Sequence, residues 1–246
     1  MNNTKIKIAL ITLGHAKLQF DVHKLKNICS QIFEIVSIEE ISNLPDTEIE
    51  DGYLDQKFDK EQMGRIVRCP NNADIAVGFM SYRFADKFYM HRVGENCAVV
   101  SLHGIEEILF RKSISMDNFV KKQLYEVSAF YMLCNGVISD KVYSLVHKDT
   151  RGCLFDLNGD RQDIVFNTES PIICETCKSK FREIQLDRIQ LKALECELYD
   201  IKKPIIQRLE NLIHKYPLIS VIGSAFIAII LNVLASAIWE KIKPVG

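Results

Sequence analysis

Four residues in the second half of the chain restrict its fold more than any other feature: Cys174-x-x-Cys177 and, upstream, His147 and Cys153. A C-x-x-C knuckle lets two thiolates reach one ion from a tight turn, and soft sulfur suits Zn2+. His147 and Cys153 can supply two further ligands from one loop, with Gly152 giving the backbone freedom to turn beside Cys153. A Cys3His set fills all four positions of a tetrahedron. It leaves no place for an activated water, so such an ion holds structure together and does no chemistry. The other reading of a C-x-x-C is a redox pair. Here the motif follows Pro171-Ile172-Ile173, which is not a strand-to-helix turn of thioredoxin type.

Asp156-Leu157-Asn158-Gly159-Asp160, lying between the ligands, has the look of a calcium loop. Its glycine is misplaced, however, and the twelfth position is Asn167. A hairpin turn at Asn158-Gly159, joining 153–157 to 163–166, is the expected structure.

Upstream, Lys5 to Leu13 reads as a strand buried on both faces, 20–33 as a helix, and Phe33 to Ile41 as a second strand. This β-α-β opening argues for an α/β layer with a right-handed crossover. His15 falls in the loop after the first strand and reads as a solvated loop histidine. Residues 43–60 are polar and acidic, and 60–67 can form a short helix. Ala73 to Phe79 and Cys97 to Leu102 are two further strands. The aromatic-rich connection between them, with Tyr82, Phe84, Phe88, Tyr89 and His91, reads either as the lid on a small core or as the lining of a groove. The spacing predicts a long helix over 115–133, capped by Ser115 or Asp117 and ended by Asn135-Gly136. The formal net charge of −1 offers no basic field, and no nucleic-acid partner is expected. No secretory signal opens the chain, so its eight cysteines read as reduced thiols of a cytoplasmic domain.

On these residues the chain resembles the archaemetzincins, a branch of zinc metallopeptidases. Their pattern runs from a catalytic helix H-E-x-x-H-x-x-G-x-x-H into a cysteine pair and then a C-x-x-C that binds a second, structural zinc. The resemblance spans roughly Lys5 to Phe181 and includes the early β-α-β unit, A-D-I-A-V-G-F, C-A-V-V-S-L and the closing C-E-T-C-K-S-K-F. It implies a metzincin-like mixed sheet with helices. The departure is at the helix: where H-E-x-x-H should stand, the chain reads Tyr125-Glu126-Val127-Ser128-Ala129. Two imidazole ligands are absent and Glu126 alone survives, so peptidase chemistry is expected to be lost. His147 matches either the third catalytic histidine or the first structural-zinc cysteine. A rebuilt catalytic site would draw on Glu126 and His103, with His91 and His147.

After Phe181 the composition changes. Leu191, Leu194, Leu198, Ile201 and Ile205 step by three and four amid charged residues, which predicts a long amphipathic helix over 181–216. It reads either as a coiled-coil seam or as a helix packed back on the domain. Leu218 to Trp239 carries no charge and is long enough to cross a bilayer core of about 30 Å. The expected organisation is therefore a zinc-stapled cytoplasmic α/β domain over 1–180, a helical stalk over 181–216, a single-pass transmembrane helix over 217–241 acting as a tail anchor, and a short tail over 242–246. Ser220, Ser224, Ala228, Asn232 and Ser236 would line one face of the span and favour a homo-oligomer, the alternative being a monomeric anchor. The function expected is a membrane-anchored, non-catalytic sensor or effector with a structural zinc. By analogy of architecture alone it suits stress or phage defence. The second expectation is a membrane-tethered zinc metallopeptidase with a non-standard active site.

Overall fold

The computed structural model describes residues 5–45, 56–184, 188–201, 213, 216 and 228–232. In chain order these form β1 (Ile6–Leu13), α1 (Val22–Lys26), β2 (Phe33–Ile41), β3 (Lys57–Phe58), α2 (Lys60–Ile66), β4 (Ile75–Met80), β5 (Arg83–Phe84), β6 (Met90–Gly94), β7 (Cys97–Ser101), α3 (Ile105–Arg111), α4 (Met116–Leu133), α5 (Ile164–Glu169), α6 (Glu175–Glu183) and α7 (Arg188–Tyr199). The main sheet runs β2-β1-β4-β7-β6. Its first four strands are parallel, and β6 returns antiparallel along β7. The architecture is thus a mixed α/β sheet. The inner strands β1, β4 and β7 are nearly continuous apolar runs because both sheet faces are covered there: β4 and β7 are buried at every position, whereas the edge strand β2 is largely open.

Alternation along β1 sorts the two faces. Ile6, Ile8 and Leu10 join a large core with α4, whereas Ala9, Ile11 and Leu13 join a smaller one with Phe58, Met63 and Phe84. Helix α2 lies directly on β6 at Gly64, where a Cβ would fall 2.3 Å from the Val93 carbonyl oxygen. The central support is α4. Ser115 caps it, accepting from the Asn118 N–H at 3.2 Å, and most of its circumference is buried. The aromatic connection over 80–95 is divided between the two cores: Phe84 goes to the smaller, Tyr89 to the larger, and Phe88 stays exposed.

Several expectations need correction. The helix predicted over 20–33 stops at Lys26, because Ser30 is used to cap the start of β2. Its Oγ accepts from the Ile32 and Phe33 N–H groups. The hairpin predicted at Asn158-Gly159 does not form. Asp160 starts a helical turn by accepting from the Gln162 N–H, and Ile164 onward is α5. The predicted long helix over 181–216 is replaced, among the described residues, by the end of α6 and by α7. Leu194, Leu198 and Ile201 are buried in the large core, so this part packs back on the domain.

The transmembrane helix is corrected as well. No helix among the described residues is long and apolar enough to cross a membrane. The single-pass, tail-anchored placement expected from 217–241 therefore has no structural support. Within that run the structure describes only 228–232, a helical stretch of about 8 Å, against a bilayer core of about 30 Å. Of the residues assigned to an oligomer face, Ala228 and Asn232 are helical and exposed. Ser220, Ser224 and Ser236 lie outside the described residues, as do Ile205 and 46–55 of the acidic stretch. The chain divides into two compact units, Met1–Lys202 and Lys203–Gly246. In the second, the described residues Ile213, Tyr216 and 228–232 are all exposed.

Candidate metal centre

The four ligand candidates come together. One ligand atom from each of His147, Cys153, Cys174 and Cys177 lies within 4.8 Å of every other. Three short pieces of backbone place them. His147 sits on a single parallel bridge to Asp156, with its N–H donating to the Phe155 carbonyl and its carbonyl accepting from Leu157, both at 2.8 Å. Cys153 follows Gly152, whose φ of 71° turns the chain in a region where a side chain would be strained. The turn is fixed from inside by Asp156, whose Oδ2 accepts from the N–H groups of Arg151 at 2.8 Å and Cys153 at 2.9 Å. A second bridge, Cys153 to Ile172, brings in the strand that leads to α6. Cys174 is the N-cap of α6 and Cys177 lies in its first turn, and the Cys174 N–H donates to Cys153 Sγ at 3.5 Å.

Within the cluster, His147 Nε2 is 3.0 Å from Cys177 Sγ and 3.2 Å from Cys174 Sγ, and the Sγ atoms of Cys153 and Cys177 are 3.9 Å apart. A tetrahedral zinc with bonds of about 2.3 Å to sulfur sets sulfur atoms about 3.8 Å apart, close to the spacing found. Cys153 and Cys177 are fully buried and His147 nearly so. The proton shared between Cys153 and Cys177 holds the Cys153 pKa down, while the same sharing, with burial, pushes Cys177 far up. One thiolate therefore discourages the next. A divalent cation at the centre removes that conflict, because it favours deprotonation of every sulfur it touches. Geometry and donor chemistry both fit zinc. A two-thiol redox pair would require neither His147 nor Cys153, and all four side chains converge.

The alternative catalytic residues are not brought together. Glu126 is buried on α4 and bound to Lys122, whose Nζ donates to Glu126 Oε2 at 2.7 Å. Burial raises the Glu126 carboxyl, and the Lys122 ammonium opposes that shift without cancelling it. His103 is an exposed turn residue whose carbonyl accepts from Arg161. His91 is held by Asp86 at 3.0 Å and packs edge-on against Phe84. Among the described residues no metal-holding group contains Glu126, His91 or His103.

Sequence reasoning missed the partners of Glu126. Lys122 and Gln123 lie one turn before it, and the Gln123 amide, oriented to satisfy both neighbours, donates to Glu126 Oε2 at 3.1 Å and accepts from Lys122 Nζ at 3.2 Å. Tyr89 is also buried beside this group, its hydroxyl accepting from Asn158 Nδ2 at 3.1 Å. The signal available was Lys122-x-x-x-Glu126, an i,i+4 pair inside a helix that buries nearly every face.

No protein-family model matches the chain, and no curated protein matches it. Among solved structures, archaemetzincin from Methanopyrus kandleri is similar, with a TM-score of 0.42 and 13% identity over 76% of this chain and 99% of that one. A likeness of that degree assigns this chain neither a family nor an activity.

Proposed function

We propose that His147, Cys153, Cys174 and Cys177 hold one zinc ion as a structural cross-link, and that the domain it closes is a non-catalytic sensing module. The observation that supports this is the completeness of the set: three sulfurs and one imidazole nitrogen converge from three segments, and most of the cluster is sealed from solvent. When bound, zinc supplies a tether between the 147–153 loop and the start of α6. The protein residues do the rest: Asp156 fixes the loop amides, and the Asn167 amide holds the Cys153 carbonyl at 3.2 Å.

The face of α4 fits the same reading. Tyr125 and Ala129 stand where an H-E-x-x-H helix carries its two imidazoles, and Glu126 is engaged by the Lys122 ammonium at 2.7 Å. The sequence resemblance to archaemetzincins is then that of a scaffold whose catalytic ligand positions are no longer ligands. Elemental analysis of the purified full chain tests this. One zinc per chain is expected, retained in Glu126→Gln and lost in Cys174→Ser. A second zinc that disappears in Glu126→Gln, accompanied by cleavage of a peptide substrate, would overturn the proposal in favour of a peptidase.

A further inference from the structure

The four side chains of the metal centre are not equally sheltered. Cys153 and Cys177 are fully buried and His147 nearly so, whereas Cys174 is only half-buried, so a reagent from solvent meets its sulfur first. What lies over that sulfur is a surface arm. The Arg151 guanidinium donates to Cys174 Sγ and is held from its other side by Asp149, with Nε 2.6 Å from Oδ2 and Nη2 3.0 Å from Oδ1. Both partners of that ion pair are exposed, and exposed pairs are weak and screened by salt. Behind Cys174 stands a second sulfur on the same helix. Cys177 follows one turn later in α6, its N–H donating to the Cys174 carbonyl at 3.0 Å, and the two Sγ atoms lie within 4.8 Å. One helical turn also keeps their Cα atoms inside the separation of about 4.4–6.8 Å that a disulfide spans. Cys153 is the poorer partner: its sulfur already accepts from the Cys174 N–H at 3.5 Å, and its backbone belongs to the other side of the corner, bridged to Ile172.

We propose that Cys174 is a modification site for hydrogen peroxide, and that its oxidation to a disulfide with Cys177 opens the corner; the inference rests on the zinc reading above. In the loaded cluster each cysteine is a thiolate, the nucleophilic form. The Cys174 sulfur attacks one peroxide oxygen: the S–O bond forms as the O–O bond breaks, and hydroxide leaves. The Cys177 thiolate then attacks the sulfenic acid: the S–S bond forms, the S–O bond breaks and a second hydroxide leaves. Each sulfur has lost one electron, the peroxide has gained two, and two protons from solvent turn the hydroxides into water. The new disulfide lies within α6, so it makes no link to the 147–153 loop. His147 and Cys153 remain as two ligands on one side, the cluster gives up its ion, and the tether between loop and helix is lost. Phe181 of α6 packs against Phe155 with ring centroids 6.1 Å apart, so the release reaches the core. Arg151 opposes the first step, because its N–H competes with the peroxide for the sulfur lone pair.

Treating the full, zinc-loaded chain with excess hydrogen peroxide tests this, in a background of Cys29→Ser and Cys196→Ser that removes the two exposed thiols. Zinc released to a chromogenic chelator should match the disulfide formed, one for one. Cleavage after Glu175 separates Cys174 from Cys177 unless they are joined, so peptide mass mapping reads the bond directly. The melting temperature should fall on release, and dithiothreitol with added zinc should restore it. Arg151→Ala should release zinc roughly three- to tenfold faster, the scale of one lost hydrogen bond. Zinc retained under excess peroxide, a disulfide that contains Cys153, or release no faster in Arg151→Ala than with Arg151 present would each overturn the proposal. A chain that cannot be loaded with zinc would overturn the zinc reading along with it, whereas a loaded chain that resists peroxide leaves that reading standing.

Discussion

The corner at His147 and the face of α4 at Glu126 bury polar groups a few residues apart in space, sharing Asp156 as a neighbour, and they settle charge in opposite ways. At the corner, three thiols and an imidazole gather with one exposed cationic side chain at their edge, Arg151, which is shared between Asp149 and Cys174. On the proposed reading, a metal from outside the chain completes the cluster. On α4, the chain supplies both signs itself: Lys122 is fully buried, yet its charge is answered at 2.7 Å by Glu126. The difference teaches what each can do. A group of ligands without internal compensation draws a metal. A compensated pair does not, and it leaves one carboxylate oxygen over.

The comparison can be broken first at the corner. Cys177→Ser removes one of the two fully buried ligands proposed, and because metal binding energy at a structural site of the proposed kind is folding energy, on a scale of about 10–16 kcal/mol for a whole site, the loss is expected to be several kcal/mol. Thermal unfolding with and without a chelator measures it. A wild-type melting temperature that ignores the chelator would show the corner to be complete without metal.

The pair on α4 comes next. Lys122→Met alone strands Glu126 and should cost about 3–5 kcal/mol in denaturant unfolding. Lys122→Met/Glu126→Leu should recover most of that, since exchanging a buried pair for apolar groups is close to neutral. A double variant as unstable as the single one would mean that the pair holds more than itself.

A smaller effect follows pH. Burial raises the Glu126 carboxyl above its ordinary 4.5, so the folded chain binds this proton more tightly than the unfolded chain. Its contribution to stability is therefore fully present below 4.5 and is lost as pH rises through the raised folded value. The difference between wild type and Glu126→Gln, taken as a denaturation midpoint against pH, should show this falling component; a flat difference would contradict the raised value.

The smallest effect lies away from both regions. Glu197 on α7 accepts from Ser30 Oγ at 2.6 Å, from the Gln31 N–H at 2.7 Å and from Tyr125 Oη at 2.7 Å. Glu197→Gln should cost about 1–3 kcal/mol and speed amide exchange in α7 with the corner unaffected.

Much of this was legible in the sequence where local chemistry and tertiary need coincide. Strands β1, β4 and β7 read as strands because burial on both faces leaves continuous apolar runs, β2 read as one from its alternation, β6 went unread inside the aromatic connection, and α4 read as a helix from Ser115 and its stripe. His147 and the three cysteines were legible because few other roles explain those side chains together. Illegible features were those decided by distant partners. Lys122 would normally mark a solvated helix face, and only the folded chain shows that Glu126 and Gln123 pay its desolvation. Ser30 ends α1 early because β2 and α7 both require it. The segment 163–166 carries a β-branched apolar run that read as a strand, yet Asp160 starts a helical turn there instead. The uncharged run at 218–239 was read from hydropathy alone, and the described residues do not bear out a spanning helix.

The bonds that Glu197 makes also order events in time. Ser30 and Glu197 are 167 residues apart in the chain. At about 5–20 residues per second, synthesis reaches Glu197 roughly ten to thirty seconds after Ser30. Until then the Ser30 hydroxyl at the head of β2 and the Tyr125 hydroxyl lack the carboxylate they share, and the core surface that Leu194, Leu198 and Ile201 will cover remains open. The nascent domain thus waits on α7, so a chain truncated before 188 is expected to need a chaperone where the full chain does not.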